Sequence, residues 1–491
     1  MRGSLWSLLG TGIMLPVNLV TGVVLARLLG PADLGQFVVL TTFLQVVAPF
    51  VDLGFGAALL QWAGRAAGRG DSRAVTRLLQ QNLGMQLLLP LPITAVVGVV
   101  VLRDASTLVQ VTFLSSVVLG GVVGPGLVRL VVENRTAATA KLGLVAGLLS
   151  STSAMGLAAL GAGPTTLWAS RSLVSVLPGL VLLLVLTRSD WKSYLKPQLP
   201  RRMPVGFWSF ARASWLAAGL GALVGTRSEA FLLTAYDLDV QVGIFAVAFG
   251  LATQITAPLD LLQGTLGPAA SAVAGRDESA LTHVLARSRR VFGLGSAGIL
   301  ALSSSVVALV PTVYGEDYVA AQWLLVPLLL ASCFQTALAP YAVLAVVRRR
   351  RRLLPSVQAV TVVADLGLAA ALIPIIGVFG AVIGACAGLL VSSAGFARAE
   401  LGSLRALCAA IASSGYLEGC LALAAGLAGG AALVDRGGVV AAAGSCLAAA
   451  AVLAVLLLLI RRAPMTMMLD DLTALLPPSM AVRLAAVRRV P

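Results

Sequence analysis

The chain has 491 residues, 58% of them hydrophobic and only 11% charged, with a mean hydropathy of +0.96. Soluble domains carry about 25% charged residues, so this composition excludes a soluble enzyme, a nucleic-acid binder and a disordered scaffold. The formal charge of +15 then concerns the two faces of a bilayer, not nucleic acid.

In chain order, Met1-Arg2 and the apolar run behind it have the outline of a signal peptide, but the run continues to spanning length with no clear cleavage site. It reads as an uncleaved first helix. Apolar stretches of about 20 residues, the length a membrane helix needs, fall at roughly 5–26, 37–60, 82–102, 106–128, 142–160, 166–187, 213–234, 242–270, 291–312, 320–345, 355–374, 377–396, 407–433 and 438–460. Arg103-Asp104 divides one long apolar region, and Pro374 with Gly377 divides another. The expected fold is an all-α polytopic membrane protein of fourteen spans.

The cations test that count. With the N-terminus inside, 30 of the 35 Lys and Arg residues fall in alternate connections on one side. Only Arg27, Arg103 and Arg436 fall in the opposite loops, and Arg171 and Arg227 lie within spans. This alternation is the positive-inside pattern, and one missed helix would scramble it. It places both termini in the cytoplasm and lets the basic excess meet anionic membrane lipids. Arg65, Arg69, Arg73 and Arg77 repeat every four residues, which would set them along one helical face, although nearby glycines weaken such a helix. No outer loop exceeds about ten residues, so there is no room for the sizeable outer loops that carry catalytic groups in membrane glycosyltransferases, polymerases and ligases.

Five cysteines lie in apolar stretches without a C-x-x-C pair, and the single histidine, His283, is expected in a charged loop. Neither points to a metal or a histidine-based catalytic site. No G-x-x-x-x-G-K-[ST] motif occurs, so no nucleotide cofactor is expected.

An internal repeat is visible. Leu34-Gly35-Gln36-Phe37 matches Val242-Gly243-Ile244-Phe245; an Ala-Pro pair and then an aspartate, Asp52 or Asp260, follow in each. The equal spacing maps spans 1–2 onto 7–8 in the same orientation. Two parallel six-helix bundles follow, with two added C-terminal helices: an N-lobe 1–187, a cytoplasmic linker 188–212, a C-lobe 213–396, helices 13 and 14 within 397–460, and a basic tail 461–491. Parallel repeats are a transporter architecture with the substrate site between lobes. The tail, with Asp470-Asp471, Pro477-Pro478 and three arginines, suits a helix on the inner membrane surface or a poorly ordered end.

A charge at the bilayer centre costs ~2.5–3.5 kcal/mol on insertion scales, so each one asks for a role. Arg227 and Glu229 are two residues apart, about 200° around a helix, and do not share a face. Arg227 is expected to face an aqueous cavity or a carboxylate on another helix; its planar fork suits phosphate oxygens. Asp52 and Asp260 are open to helix packing or capping and to ion coupling. Arg171 is close enough to the outer interface to snorkel. Glu418 lies outside the repeated lobes.

Several motifs then carry a resemblance. Ala26-Arg27-Leu28-Leu29-Gly30-Pro31 through Gly35 resembles the "A-R-x-L-G-P-x-x-x-G" turn after the first helix of bacterial O-antigen and polysaccharide flippases. Asp52-Leu53-Gly54-Phe55-Gly56 resembles their "D-L-G-x-G", Tyr314 to Tyr318 their "G-x-x-Y" turn, and Leu372-Ile373-Pro374 with Gly377, Gly380 and Ala381 their "L-I-P-x-x-G-x-x-G-A" step. The resemblance implies the multidrug/oligosaccharidyl-lipid/polysaccharide exporter fold in the bacterial inner membrane. It also implies an undecaprenyl-diphosphate-linked oligosaccharide as substrate, moved outward by alternating access, with a polysaccharide polymerase and glycosyltransferases as neighbours in the pathway. Arg27, Arg227 and Arg171 become candidates for holding the diphosphate; Asp52, Glu229, Asp260 and Asp365 become candidates for ion coupling or gating. Asp365 stands where relatives often have Asn. Two alternatives stay open, a peptidoglycan-precursor flippase and a cation-coupled multidrug antiporter. The antiporter should carry a carboxylate in the middle of helix 1, where this chain has only Asn18.

Overall fold

A computed structural model describes residues 2–103, 105–132, 135–186, 196–199, 203–274, 278–348 and 353–457. Among the described residues the regular structure is helical, without strands, and the chain is a multi-pass membrane protein. It divides into two compact units, Met1–Thr234 and Ala235–Pro491. The division falls after the seventh expected span, where the sequence placed the lobe boundary before it. The C-terminal tail lies outside the described residues.

The first unit opens on α1 (Arg2–Asp52), 51 residues and so about 77 Å if straight, far more than the ~30 Å hydrocarbon core of a bilayer. It is not one span. Gly30 interrupts it with φ 74° and ψ 174°, and Pro31 opens the second half. That backbone region is essentially restricted to glycine, so the A-R-x-L-G-P motif encodes the break itself: a one-residue corner in place of a loop.

The expected span 37–60 is also divided. Leu53 (φ 48°) and Gly54 (φ 72°) turn the chain through two left-handed residues, and α2 (Phe55–Gly68) follows. A side chain on Gly54 would strike the backbone of Ala211; this close approach docks α2 on α8 (Phe207–Gly225). Phe55 and Trp62 close the contact, with ring centroids 5.7 and 5.5 Å from that of Phe207. Asp71 then accepts from the Ala74 backbone N–H at 2.9 Å and caps α3 (Ser72–Leu88). The arginine stripe is therefore split, with Arg65 on α2 and Arg73 and Arg77 on α3. α4 (Pro90–Val101), α5 (Thr107–Val132), α6 (Thr136–Ala159) and α7 (Pro164–Leu186) complete the bundle with the short α9 (Glu229–Ala235). α6 packs along α1 and α7, and α5 along α7.

The second unit comprises α10 (Asp239–Ala274), α11 (Glu278–Tyr314), α12 (Val319–Val347), α13 (Leu353–Ile376), α14 (Val378–Leu401), α15 (Leu404–Ala412), α16 (Tyr416–Ala431) and α17 (Gly438–Leu456). α11 starts at Glu278, well before the apolar stretch, so His283 sits on a helix and not in a loop. α14 packs on α13 through glycines one turn apart. A Cβ on Gly384 would lie 2.6 Å from the Asp365 carbonyl oxygen, and one on Gly388 2.9 Å from the Asp365 Cβ. Small residues at this spacing let helices approach where lipid gives no hydrophobic drive to association. The corner before α14 is pinned by Gln241 of α10, whose Oε1 accepts from the Val378 N–H at 2.7 Å.

Among the described residues, nine helical stretches are long and apolar enough to cross a membrane, or eleven if each of two bent pairs is one span. One of the nine, Leu9–Phe50, holds the first expected span and most of the second. Within the described residues, the fourteen expected apolar stretches fall on helices or broken pairs of helices, of which nine to eleven meet that length and apolarity.

Candidate functional site

The seven candidate residues occupy different environments. Arg27 lies on the first half of α1, one turn before the Gly30 break, with its side chain exposed. Arg171, on α7, is half-buried inside the first unit. Its guanidinium stands 5.8 Å from the centroid of the Phe37 ring of α1, a cation–π arrangement, and its carbonyl accepts from Ser150 Oγ at 3.3 Å. The stacking ties α7 to α1 within the first unit.

Arg227 sits where the seventh span breaks. α8 ends at Gly225 and α9 begins at Glu229, and Arg227 between them has φ 63°. A non-glycine residue held there costs roughly 1–2 kcal/mol, and such strain clusters at functional positions. The break leaves carbonyls at the end of α8 that lipid cannot satisfy. Thr226 Oγ1 donates to the Ala222 carbonyl at 2.6 Å, and the Ser228 hydroxyl donates to the Leu223 carbonyl. The expected continuous helix, and with it the 200° separation of Arg227 from Glu229, is thus replaced by a corner. Arg227 is half-buried there and Glu229 wholly buried.

Asp52 and Asp260, equivalent in the sequence repeat, differ in structure. Asp52 ends α1, and its two carboxylate oxygens accept from the Gly56 N–H at 3.0 and 3.1 Å. It satisfies one exposed N–H in the first turn of α2 and opposes the positive end of that helix. Asp260 lies in the middle of the unbroken α10 with its side chain exposed. Asp365 of α13 is wholly buried, in the space that Gly388 leaves on α14.

The structure gathers around Asp52 a set of residues that the search for intramembrane charges passed over. A cavity of about 370 Å³ within the first unit is lined by Asp52 with Asn82, Gln86, Ser116, Ser172 and Ser175. A second cavity of about 530 Å³ adjoins it and shares Gly56, Gly120 and Gly124 in its wall. Four helices, α1, α3, α5 and α7, supply the polar groups. The signal was present in Gln80-Gln81-Asn82 and Gln86, four amides in the stretch that forms α3, all buried. Neutral polar groups in a span are as informative as charges where they lack a partner, as Asn82 Oδ1 and Gln86 Oε1 do among the described residues.

Broken spans, buried charges and a polar interior within one bundle suit a membrane transport protein. Residues 24–322 match the family described as polysaccharide biosynthesis protein, and the chain belongs to that family. No curated protein sequence matches it. Among solved structures it is similar to the lipid II flippase MurJ in an inward closed conformation: TM-score 0.63 and 10% identity, over 92% of this chain and 98% of that one. It is also similar to an inward-facing multidrug resistance MATE family transporter of the MOP superfamily: TM-score 0.56 and 16% identity, over 81% of this chain and 95% of that one. A mutant of the Vibrio cholerae MATE transporter VcmN gives a TM-score of 0.55 at 15% identity, over 82% of this chain and 96% of that one. At these identities the likeness is one of fold, a fold shared with the MurJ flippase and the MATE transporters.

Proposed function

We propose that this chain is a flippase of the bacterial cell membrane, with both termini cytoplasmic. It moves a polyprenyl-diphosphate-linked oligosaccharide from the inner to the outer leaflet by alternating access, for O-antigen, capsule or exopolysaccharide synthesis. The observation that carries this reading is the polysaccharide biosynthesis family match across 24–322 on an exporter fold. A diphosphate needs fixed cations in an otherwise apolar path, and arginine supplies a permanent charge with a fork that fits phosphate oxygens. Arg227, strained at a helix corner, Arg27, exposed beside the Gly30 break, and Arg171, stacked on Phe37, are the candidates. Asp260, Glu229 and Asp365 are the positions for ion coupling or gating, since a charge in a span is retained for pathways and relays. Asp52 serves as a cap. A membrane potential can drive the step, because one charge moved through 100 mV is worth ~2.3 kcal/mol.

The likeness to MurJ over 92% of the chain supports a second reading, a peptidoglycan-precursor flippase. One experiment separates the two. Lipids from a strain lacking this protein are analysed by mass spectrometry, with leaflet accessibility tested. Polyprenyl-diphosphate oligosaccharide held on the cytoplasmic side, with loss of a surface polymer, is the expected result. Accumulated peptidoglycan precursor would establish the second reading. New drug sensitivity without lipid accumulation would overturn both and favour an antiporter.

A further inference from the structure

The polar cavity of the first unit has more oxygen acceptors than its surroundings satisfy. Asn82 Oδ1, Gln86 Oε1 and Ser116 Oγ are buried without a hydrogen-bond partner among the described residues, and all three residues line the cavity with Asp52. Asn82 is 1% exposed and Gln86 and Ser116 each 7%. Buried acceptors in a span are normally paired, so this set is built to receive donors from something that enters.

Two properties decide what enters. The first is charge. The carboxylate of Asp52 is already opposed by the α2 N-terminus through the Gly56 N–H, so the site does not require a cation to balance it. Among the described residues no arginine, lysine or histidine lines it, so it does not invite a phosphate. The second is size. About 370 Å³ falls within the ~300–1,000 Å³ of small-molecule sites, whereas one water-sized particle needs only ~10–15 Å³. A neutral molecule rich in hydroxyl donors, about one ring in size, meets both conditions. Carboxylate, carboxamide and hydroxyl groups on different helices can each accept from a separate hydroxyl. Gly120 adds room, because a Cβ there would meet nothing within 4 Å.

We infer that this cavity binds a hexopyranose unit through Asn82, Gln86, Ser116 and Asp52, and that it is a sugar-recognition site within the first unit. The inference rests on the flippase reading for the source of the sugar, namely the glycan of the transported lipid.

The test uses purified full-length protein in a polyoxyethylene detergent free of sugar. Equilibrium dialysis is run with tritiated methyl glucoside, galactoside and mannoside and the three corresponding 2-acetamido sugars, and with ²²Na⁺. At least one sugar should bind at one site per chain. Asn82→Leu and Gln86→Leu should each weaken it at least tenfold, and Gln86→Glu, which keeps the acceptor, should retain binding. Gly120→Met, which fills the cavity without touching the polar groups, should abolish binding while leaving thermal stability near wild type. The inference is overturned if none of the six sugars binds, if Gly120→Met binds as well as wild type, or if ²²Na⁺ alone occupies the site and is lost in Asn82→Leu. The flippase reading is judged apart from this, by lipid accumulation in the deletion strain. Accumulation without sugar binding sinks only the sugar site, and sugar binding without accumulation sinks only the reading.

Discussion

Replacing Asp52 by asparagine keeps the cap on α2 and removes the charge, whereas leucine removes both. The structure gives the size of each effect. The carboxylate holds the Gly56 N–H at 3.0 and 3.1 Å, and losing a capping side chain costs about 0.5–2 kcal/mol. The interaction of its charge with the helix N-terminus adds about 0.3–1 kcal/mol. Asparagine caps about as well as aspartate, so Asp52→Asn should cost no more than about 1 kcal/mol, and Asp52→Leu about 1–3 kcal/mol. For a unit of the size of Met1–Thr234, 1 kcal/mol corresponds to about 2–4 °C in Tm. Asparagine should therefore lower the midpoint by about 4 °C at most, and leucine by up to about 12 °C. Purified variants are heated in steps, and the fraction still monodisperse is read by size-exclusion chromatography; export is read as surface polymer in the deletion strain. The asparagine variant should export close to wild type. A well-folded Asp52→Asn protein with no export would refute the capping account and make the charge itself part of the transport cycle.

Other outcomes are equally specific. Arg227→Gly relieves the strain of φ 63° and should unfold no earlier than wild type, by a margin of up to about 1–2 kcal/mol, yet lose export; Arg227→Lys should keep part of it, and normal export in the glycine variant would remove Arg227 from the path. Gly30→Ala forces a side chain into φ 74°, ψ 174° and should cost about 1–3 kcal/mol, visible as a lower midpoint; an unchanged midpoint would mean that the corner is not fixed by glycine. Gly384→Ala places a Cβ 2.6 Å from a carbonyl of α13 and should cost about 1–3 kcal/mol by overpacking. Gly367→Ala, whose Cβ meets nothing within 4 Å, should be neutral or gain up to about 1 kcal/mol from helix propensity. Equal effects at these two glycines would refute the close packing of α13 on α14.

Much was legible in the sequence for a physical reason: hydropathy is local and additive. Within the described residues, the fourteen apolar stretches lie on helix because lipid admits little else, and backbone groups there must pair within the segment. The Gly30-Pro31 and Gly377 motifs were readable as corners because backbone geometry confines those conformations to glycine, and the ordered set of motifs pointed to the family that residues 24–322 match. What the tertiary structure alone decided is how chain segments meet. The breaks at Leu53-Gly54 and at Arg227 lie inside strongly apolar runs, where no hydropathy window registers that Asp52, Thr226 and Ser228 satisfy the freed backbone. Leu53 and Arg227 are ordinary residues whose left-handed backbone is imposed by packing and not by their own preference. The pairing of Arg171 with Phe37 depends on α7 meeting α1. The polar cavity depends on four helices placing an aspartate, two amides and a row of serines around one space. Each of those side chains, read alone, is a polar residue with an open purpose; its chemistry follows from neighbours that lie far away in the chain.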